Sequence, residues 1–341
     1  MGTFYDTITA PGGQAEFEAI EVLMDKSSTG RERPWREKKM ANENLAAAYD
    51  SVNPSKAARL RDCACFLTFS ILEDGSKKLK NMNSCRVRLC PLCTWRRSLK
   101  VFSNTLAILK AMNGKYEFIM LTLTLKNCAG AELSETIDNM MSAWQRYTQR
   151  QRFRKAVKGW YRGLEVTHNT DIGDVSYDTY HPHFHVILAV NKSYFKGKAY
   201  IKLDEWKEMW SESLRIDYLT STKVEKIRSY ERNPNGEVSA NDIMKAVAET
   251  CKYITEEEDY IVPTDWELTV DAVRTLDKAL ADRRLIAYGG VMKEFHKKLN
   301  LDDEETGDLI NVDSEDSTAA PTERVESYFW NTGYRQYVRH S

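Results

Sequence analysis

The sequence has no apolar run long enough to cross a membrane. Its longest apolar runs, such as residues 118–125 (FIMLTLTL), fall far short of the roughly 18–20 residues that a membrane-spanning helix needs. Residues 1–13 lack a basic segment followed by an apolar stretch, so the sequence predicts neither a secretory signal nor a membrane role. The seven cysteines are an odd number. That number argues against a disulfide framework and favours metal ligands or free thiols in the reducing cytoplasm.

A net charge of −1 at first argues against a nucleic-acid partner, but the charges are unevenly distributed. Residues 301–320 hold eight acidic residues and no Lys or Arg, which leaves +7 on the rest of the chain. Two basic blocks, 75–100 and 146–162, contain no acidic residue. Such blocks are typical of a phosphate-binding surface, although two solvated helix faces explain them equally well. The candidate nucleic-acid contacts are Arg86, Arg88, Arg96, Arg97, Arg152, Arg154, Lys155 and, in a later segment, Lys252.

Short β-branched and apolar runs alternate along the chain with amphipathic stretches. The runs predict strands over residues 116–125, 160–168, 183–190 and 222–228. The amphipathic stretches predict helices over residues 31–60 with a break near Pro54, 91–112, 130–150, 203–214 and 239–253. Ser134 is the predicted N-cap of the third helix, and Ser239 with Asp242 has the spacing of a capping box in the last. This mixture predicts an α+β or α/β fold.

Five of the seven cysteines lie within a stretch of 31 residues, which buried free thiols do not readily explain. Cys90 and Cys93 have the C-x-x-C spacing with which one turn presents two thiolates to a tetrahedral zinc ion. Cys85 supplies a third sulfur, and either Cys63 or Cys65 supplies the fourth, a choice that the spacing leaves open. The sequence therefore predicts a structural zinc site. A catalytic zinc ion is disfavoured because four thiolates leave no open position for water.

Three of the six histidines lie just before an apolar strand. His183 and His185 share one face of that strand because alternate residues of a strand point the same way. Such a pair favours a metal site over satisfied core histidines. Glu165, in a neighbouring predicted strand, is the expected third ligand, and two imidazoles with one carboxylate suit Mn²⁺ or Mg²⁺. Two alternatives stay open. His168 could be the third ligand in place of Glu165, and His181 could orient a ligand without binding the metal itself.

A carboxylate and a phenol share one face of the last predicted helix. Glu249 and Tyr253 are four residues apart in AVAETCKYITEE. The carboxylate can act as a base toward the phenol or toward a water molecule. By itself the pair is weak evidence, because the chain has 17 tyrosines and an ordinary surface contact would give the same spacing.

Together, these segments resemble the Rep family of plasmid rolling-circle replication initiators, which belong to the HUH endonuclease superfamily. The resemblance spans residues 60 to 255. It is carried, in order, by SCRVRLCPLCTWRRS (84–98), LTLTLKN (121–127), EVTHN (165–169), HPHFHVIL (181–188) and AETCKY (248–253). It implies an α+β HUH fold, with a central antiparallel sheet flanked by helices and a small zinc-binding module rich in cysteine.

The resemblance also implies roles for the site residues. His183, His185 and Glu165 would bind the divalent ion that polarises the scissile phosphate. Tyr253 would attack the phosphorus at the origin nick site and form a 5′-phosphotyrosyl link, and Glu249 would activate water at termination. The implied zinc ligands are Cys63, Cys85, Cys90 and Cys93, with Cys65 as the extra cysteine. The phenol would lose its proton with help from the metal, Lys252 or Glu249.

The implied partner is origin DNA, both the single-stranded nick site and the adjoining duplex. No GxxxxGK[ST] stretch for an ATPase is present, so strand separation would need a host helicase in the bacterial cytoplasm. The oligomeric state is open, a dimer on DNA being one arrangement. The predicted parts are an N-terminal arm and helix (1–60), a zinc-binding module (61–115), an HUH nuclease core (116–260), a helical C-terminal extension (261–300), and an acidic linker with an aromatic tail (301–341).

Two other functions fit some of these features. An HUH transposase or relaxase would use the same chemistry, but the Glu249–Tyr253 pair and the cysteine module fit the initiator branch better. A non-catalytic zinc-ribbon DNA-binding regulator would have no need to retain the two histidines together with Glu249 and Tyr253.

Overall fold

The computed structural model describes residues 20–27, 30–227, 238–250, 257–312 and 319–340. The helices within these residues are α1 (Trp35–Val52), α2 (Pro54–Asp62), α3 (Pro91–Met112), α4 (Leu133–Gln149), α5 (Gln151–Ala156), α6 (Leu203–Leu214), α7 (Ala240–Thr250), α8 (Trp266–Leu280) and α9 (Val291–Lys298). The strands are β1 (Phe66–Leu72), β2 (Lys77–Met82), β3 (Tyr116–Leu123), β4 (Val157–Asn169), β5 (Thr179–Asn191), β6 (Thr222–Lys226), β7 (Ile286–Gly290), β8 (Pro321–Asn331) and β9 (Gln336–Arg339).

A five-stranded antiparallel sheet with the order β6-β3-β5-β4-β7 forms the centre of the chain. β4 and β5 are its two longest strands, with 13 residues each. They pair so that Glu165 lies opposite His183 and Gly163 lies opposite His185. The α+β class and the central strands predicted from the sequence are confirmed, and both central strands extend beyond the predicted ends.

Helices cover both faces of this core sheet. On one face the ring of Phe184 meets Trp144 of α4 and Trp210 of α6. On the other face Tyr288 of β7 hydrogen-bonds through its hydroxyl to the Thr105 hydroxyl of α3 (2.8 Å). α7 contacts α3 and β5. Because His183 and His185 alternate with Phe184, they face the α3 side of the sheet.

A second sheet joins the two ends of the chain, in the order β2-β1-β8-β9. Its inner face packs on α1, where Trp35 lies edge-on to Phe69 of β1 (6.0 Å between ring centroids). β8 pairs with β1 over Phe66 to Leu72. The sequence predicts the residues of β8 as part of an aromatic tail and not as a strand. The predicted domain boundaries stay predictions, and the structure adds direct strand pairing between the predicted zinc-binding module, which contains β1, and the predicted C-terminal tail, which contains β8.

Two local predictions have different outcomes. Of the predicted Ser239–Asp242 capping box, the structure shows the half in which the Asp242 amide donates to the Ser239 hydroxyl (3.1 Å). Ser134 as an N-cap is wrong, because α4 already begins at Leu133 with Glu132 as its N-cap residue. A single 3-10 turn leads into α4, so the helix starts two residues earlier than the predicted N-cap at Ser134 indicates. Among the described residues, no helix is both long and apolar enough to span a membrane.

Candidate metal centres and active site

Three side chains from β4 and β5 meet on the α3 side of the core sheet. Nε2 of His183 lies 3.1 Å from Nε2 of His185. Oε2 of Glu165 lies 2.8 Å from Nε2 of His185 and 3.5 Å from Nε2 of His183. All three side chains are largely buried, His185 being the most exposed at 21%. These three ligand atoms form a triangle that could hold one metal ion.

The size of the triangle fits an octahedral divalent ion. Adjacent ligands at about 2.1 Å from such an ion lie about 3.0 Å apart, close to the three distances found here. Two imidazoles and one carboxylate on one side of an ion leave its remaining positions open. The donor set, one hard oxygen and two nitrogens, suits Mn²⁺ or Mg²⁺ and could admit a phosphate oxygen.

The Glu165 carboxylate and the His183 ring each stabilise the charged form of the other. Burial alone would raise the pKa of Glu165, but hydrogen bonds and charge from the His183 and His185 rings outweigh it and lower the pKa to about 2. Burial likewise acts to lower the pKa of His183, but the Glu165 carboxylate outweighs this effect and the pKa is raised. The carboxylate is therefore ionised at neutral pH and ready to bind a cation.

His181 borders the triangle without joining it. The carbonyl of His181 accepts a hydrogen bond from Nδ1 of His183 (3.0 Å), which leaves Nε2 of His183 free to face Glu165 and His185. Its own ring donates from Nδ1 to Oδ1 of Asn127 (2.8 Å). Sequence reasoning did not single out Asn127, although it closes the LTLTLKN segment directly after β3.

His168 does not take the place of Glu165, and that alternative is wrong. The two residues are three positions apart on β4, so their side chains point to opposite faces of the sheet. The His168 ring is fully buried, stacks on Tyr180 (4.2 Å between centroids) and bonds through Nε2 to Oδ1 of Asp178 (2.9 Å). Its Nδ1 donates to the carbonyl of Asp259 (3.1 Å). Both ring nitrogens are thus already occupied.

The predicted Glu–Tyr pair lies at the edge of what the structure describes. Glu249 sits exposed in the last turn of α7, which ends at Thr250. Tyr253 and Lys252 lie outside the described residues. Their roles therefore remain predictions.

A second cluster combines four buried cysteines. Their sulfur atoms lie within 4.8 Å of one another, and the sulfur of Cys63 is 3.6 Å from those of both Cys90 and Cys93. Cys85 lies 3.8 Å from Cys93. A tetrahedral zinc ion with Zn–S bonds of about 2.3 Å would separate its sulfurs by about 3.8 Å, so these cysteines could hold one.

The structure brings Cys63, and not Cys65, into this cluster. Cys65 instead accepts a hydrogen bond from the buried ammonium of Lys39 (3.3 Å) and donates to the carbonyl of Arg61 (2.8 Å). Ala64 between them has a left-handed backbone (φ 50°), which turns the two cysteines apart. Hydrogen bonds from the neighbouring thiols lower the pKa of Cys93, whereas burial raises the pKa of Cys90.

The first basic block is not a free surface from Arg86 to Lys100, which corrects the DNA contacts predicted for Arg86, Arg88, Arg96 and Arg97. An acidic strap, residues 302–310, lies against it. The contacts are Arg86 to the carbonyls of Thr306 and Gly307, Arg88 to Glu305, Arg96 to the carbonyls of Leu309 and Ile310, and Lys100 to Asp302. Arg96 and Arg97 are each only 4% exposed. Arg86, Arg88, Arg96 and Lys100 therefore hold the strap, whereas Arg97 is buried without contributing a hydrogen bond to it.

The second basic block is partly open. Arg152 pairs with Glu205 of α6, and Arg146 donates to the carbonyl of Ser213 (2.7 Å). Arg154 and Lys155 are exposed at the end of α5, and neither side chain makes an ion pair with another described residue. These two residues keep the role of candidate phosphate contacts.

Comparison with known proteins identifies the family. A family model described as "Replication protein" matches residues 76–338. A "Protein rep" from Bacillus amyloliquefaciens is 36% identical over 337 residues, covering 93% of this chain and 97% of the relative. A "Protein rep" from Streptococcus pneumoniae serotype 2 is 32% identical over 324 residues, covering 93% and 95%. No solved structure matches. The chain therefore belongs to the Rep replication protein family.

Proposed function

We propose that this protein initiates plasmid rolling-circle replication as an HUH endonuclease that nicks one strand of origin DNA. The observation that carries the proposal is the triangle of Glu165, His183 and His185 on the core sheet. The coordination positions that the triangle leaves open on a bound ion suit a scissile phosphate, and α7, which contacts β5, ends three residues before Tyr253 in the sequence. When bound there, Mn²⁺ or Mg²⁺ would neutralise charge on that phosphate.

Tyr253 is the proposed nucleophile. Its phenolic oxygen bonds to the phosphorus, the bond from phosphorus to the 3′ oxygen breaks, and that oxygen takes up a proton. The products are a 5′-phosphotyrosyl link and a free 3′-OH that can prime synthesis. Because a phenol has a pKa near 10, its proton must pass to a nearby base, either Glu249 or neutral Lys252.

Glu249 is the proposed base for termination. It would take a proton from a water molecule that attacks the regenerated site, so the strand is hydrolysed instead of being transferred to a second tyrosine. Its exposed position in the last turn of α7 leaves room for water beside it. The cysteine cluster is the proposed structural zinc site, with Cys63, Cys85, Cys90 and Cys93 as ligands. A host helicase is the proposed partner for strand separation.

The decisive experiment mixes the protein with a labelled single-stranded oligonucleotide from its plasmid's origin, with Mn²⁺ or with EDTA. We expect a denaturant-stable protein–DNA adduct in the presence of Mn²⁺ and none in EDTA. The peptide map of the adduct should place the DNA on Tyr253. Tyr253→Phe should abolish the adduct and leave DNA binding intact. Tyr334→Phe, which removes an exposed phenol in the β8–β9 turn, is the matched control. Binding without cleavage or adduct would favour the non-catalytic regulator instead.

Glu249→Ala separates the two chemical steps. We expect this variant to form the Tyr253 adduct but to release little hydrolysed product from a substrate with a regenerated site. Loss of adduct formation itself would assign Glu249 to deprotonation of the phenol.

A further inference from the structure

The outer face of the second sheet presents an aromatic pair to solvent. Phe66 of β1 and Phe329 of β8 lie directly opposite each other, with 40% and 36% of their surfaces exposed. The exposed ring of His340 lies edge-on to both, at 6.2 Å from each centroid. The inward residues of the same strands, such as Phe69 and Tyr328, are buried. The exposure of the pair is therefore a property of this one face.

Polar groups continue the same face along the strands. The next outward pair is Thr68 and Ser327, whose hydroxyls are 3.3 Å apart. On the edge strand β2, Lys78 lies opposite Ser70 and the exposed Lys80 is close by. Neither lysine makes an ion pair with another residue in the part of the chain that the structure describes. The acidic Glu323 lies beyond Val325, at the end of β8 away from the aromatic pair.

We propose that this face is a second DNA-binding site, which holds single-stranded DNA by stacking its bases on Phe66 and Phe329. Flat rings beside unpaired cations are the combination with which proteins hold single strands regardless of sequence. A four-stranded sheet with outward aromatic residues is also a common platform for unstacked bases. Lys78 and Lys80 would contact the phosphates, and the Thr68 and Ser327 hydroxyls would face the sugars or base edges.

The chemistry of the face favours DNA over a protein partner. Lysine is depleted in protein–protein interfaces, whose centres are larger and more continuously apolar. Here the apolar rings occupy one row, bounded by hydroxyl groups and then by two lysines. Val22 and Val338 extend that row on the β9 side, so a second copy of the chain is the competing occupant.

The inference takes its ligand from the proposed function, because nicking and strand displacement produce single-stranded DNA. The site itself is separate from the Glu165, His183 and His185 triangle, and a separate measurement tests it. The probe is an oligo(dT) of about 30 nucleotides, a length that spans more than one binding site. It lacks the origin sequence, so its binding does not depend on nicking.

Phe66→Leu and Phe329→Leu remove the aromatic rings but keep an apolar side chain. We expect each to weaken oligo(dT) binding about tenfold by fluorescence anisotropy, and Phe66→Trp to restore it. Trp266→Leu removes a similarly exposed ring from the start of α8 and should change nothing. Replacing Lys78 and Lys80 by Gln should reduce the slope of log K against log salt by about 0.7 per lysine.

Two results would overturn the proposal. The first is unchanged oligo(dT) affinity in both Leu variants. The second is that Phe66→Asp converts a dimer to a monomer in analytical ultracentrifugation without affecting oligo(dT) binding, which would assign the face to a second copy. Nicking of a short oligonucleotide that spans the nick site should be normal in both Leu variants. If the wild-type chain nicks nothing, the proposed function fails, and the oligo(dT) comparison still decides this site.

Discussion

Glu165 makes its shorter contact with His185, to which it is diagonal, and not with His183, which lies directly opposite. The Oε2–Nε2 distances are 2.8 Å to His185 and 3.5 Å to His183. The residue opposite His185 is Gly163, which has no side chain to fill the space between them. A Cβ at Gly163 would lie 2.9 Å from the hydroxyl of Tyr161. The glycine therefore makes room for the Tyr161 hydroxyl, since any side chain at position 163 would collide with it.

Binding of Mn²⁺ to this triangle should weaken as the pH falls. The pKa of His183 is raised above 6.5 by Glu165, so below that raised pKa the ring is protonated and must lose its proton before it binds a cation. Calorimetric titration between about pH 5 and 8 should show proton release on binding and falling affinity toward the acidic end.

Glu165→Gln is the matched variant for this titration. It removes the charge that raises the pKa of His183, so the loss of affinity should move to lower pH. The affinity at high pH should also fall by more than about tenfold, because a ligand charge is lost. Affinity independent of pH in the wild-type protein would contradict the assignment of His183 as a ligand.

Cys93→Ser and Cys65→Ser should behave differently although both change a cysteine of the same region. We expect Cys93→Ser to lose bound zinc, measured by elemental analysis, and to lower the melting temperature by several degrees, because metal binding contributes to folding. Cys65→Ser should keep one zinc per chain, since the Cys65 sulfur lies outside the cluster. Zinc loss in Cys65→Ser alone would reverse the choice between Cys63 and Cys65.

The sequence predicts the features that depend on local spacing. The period of two on β5 brings His183 and His185 to one face, and the C-x-x-C turn presents Cys90 and Cys93 together. The choice of Cys63 over Cys65 depends on the left-handed backbone at Ala64, for which an alanine gives no sequence signal.

Contacts between residues far apart in the sequence are also harder to predict, because they leave no signal in the local sequence. Arg96 is basic by composition, but its guanidinium donates to carbonyls more than 200 residues away. Pairing of β8 with β1 joins residues at opposite ends of the chain. No local pattern distinguishes an arginine that binds a distant segment of the chain from an exposed arginine that is available to bind a phosphate.

His168→Ala should destabilise the protein without weakening the metal site. Its removal loses the hydrogen bonds of the buried ring to Asp178 and to the carbonyl of Asp259, together with its stacking on Tyr180, at a cost of about 1–3 kcal/mol. Urea unfolding should show that loss in free energy of unfolding, while Mn²⁺ affinity stays near the wild-type value. A large drop in Mn²⁺ affinity in a folded His168→Ala protein would return His168 to the list of ligands.

Arg154→Gln and Arg88→Gln separate a candidate DNA contact from a structural arginine. Each free cation that contacts a phosphate of a single strand adds about 0.7 to the salt dependence of log K. Arg154 is exposed, so Arg154→Gln should lower that slope by about this amount and leave thermal stability unchanged. Arg88 is paired with the largely buried Glu305, so Arg88→Gln should lower the melting temperature and leave the slope unaltered. The reverse outcome would mean that the acidic strap is displaced when DNA binds, and that the first basic block then faces the phosphates.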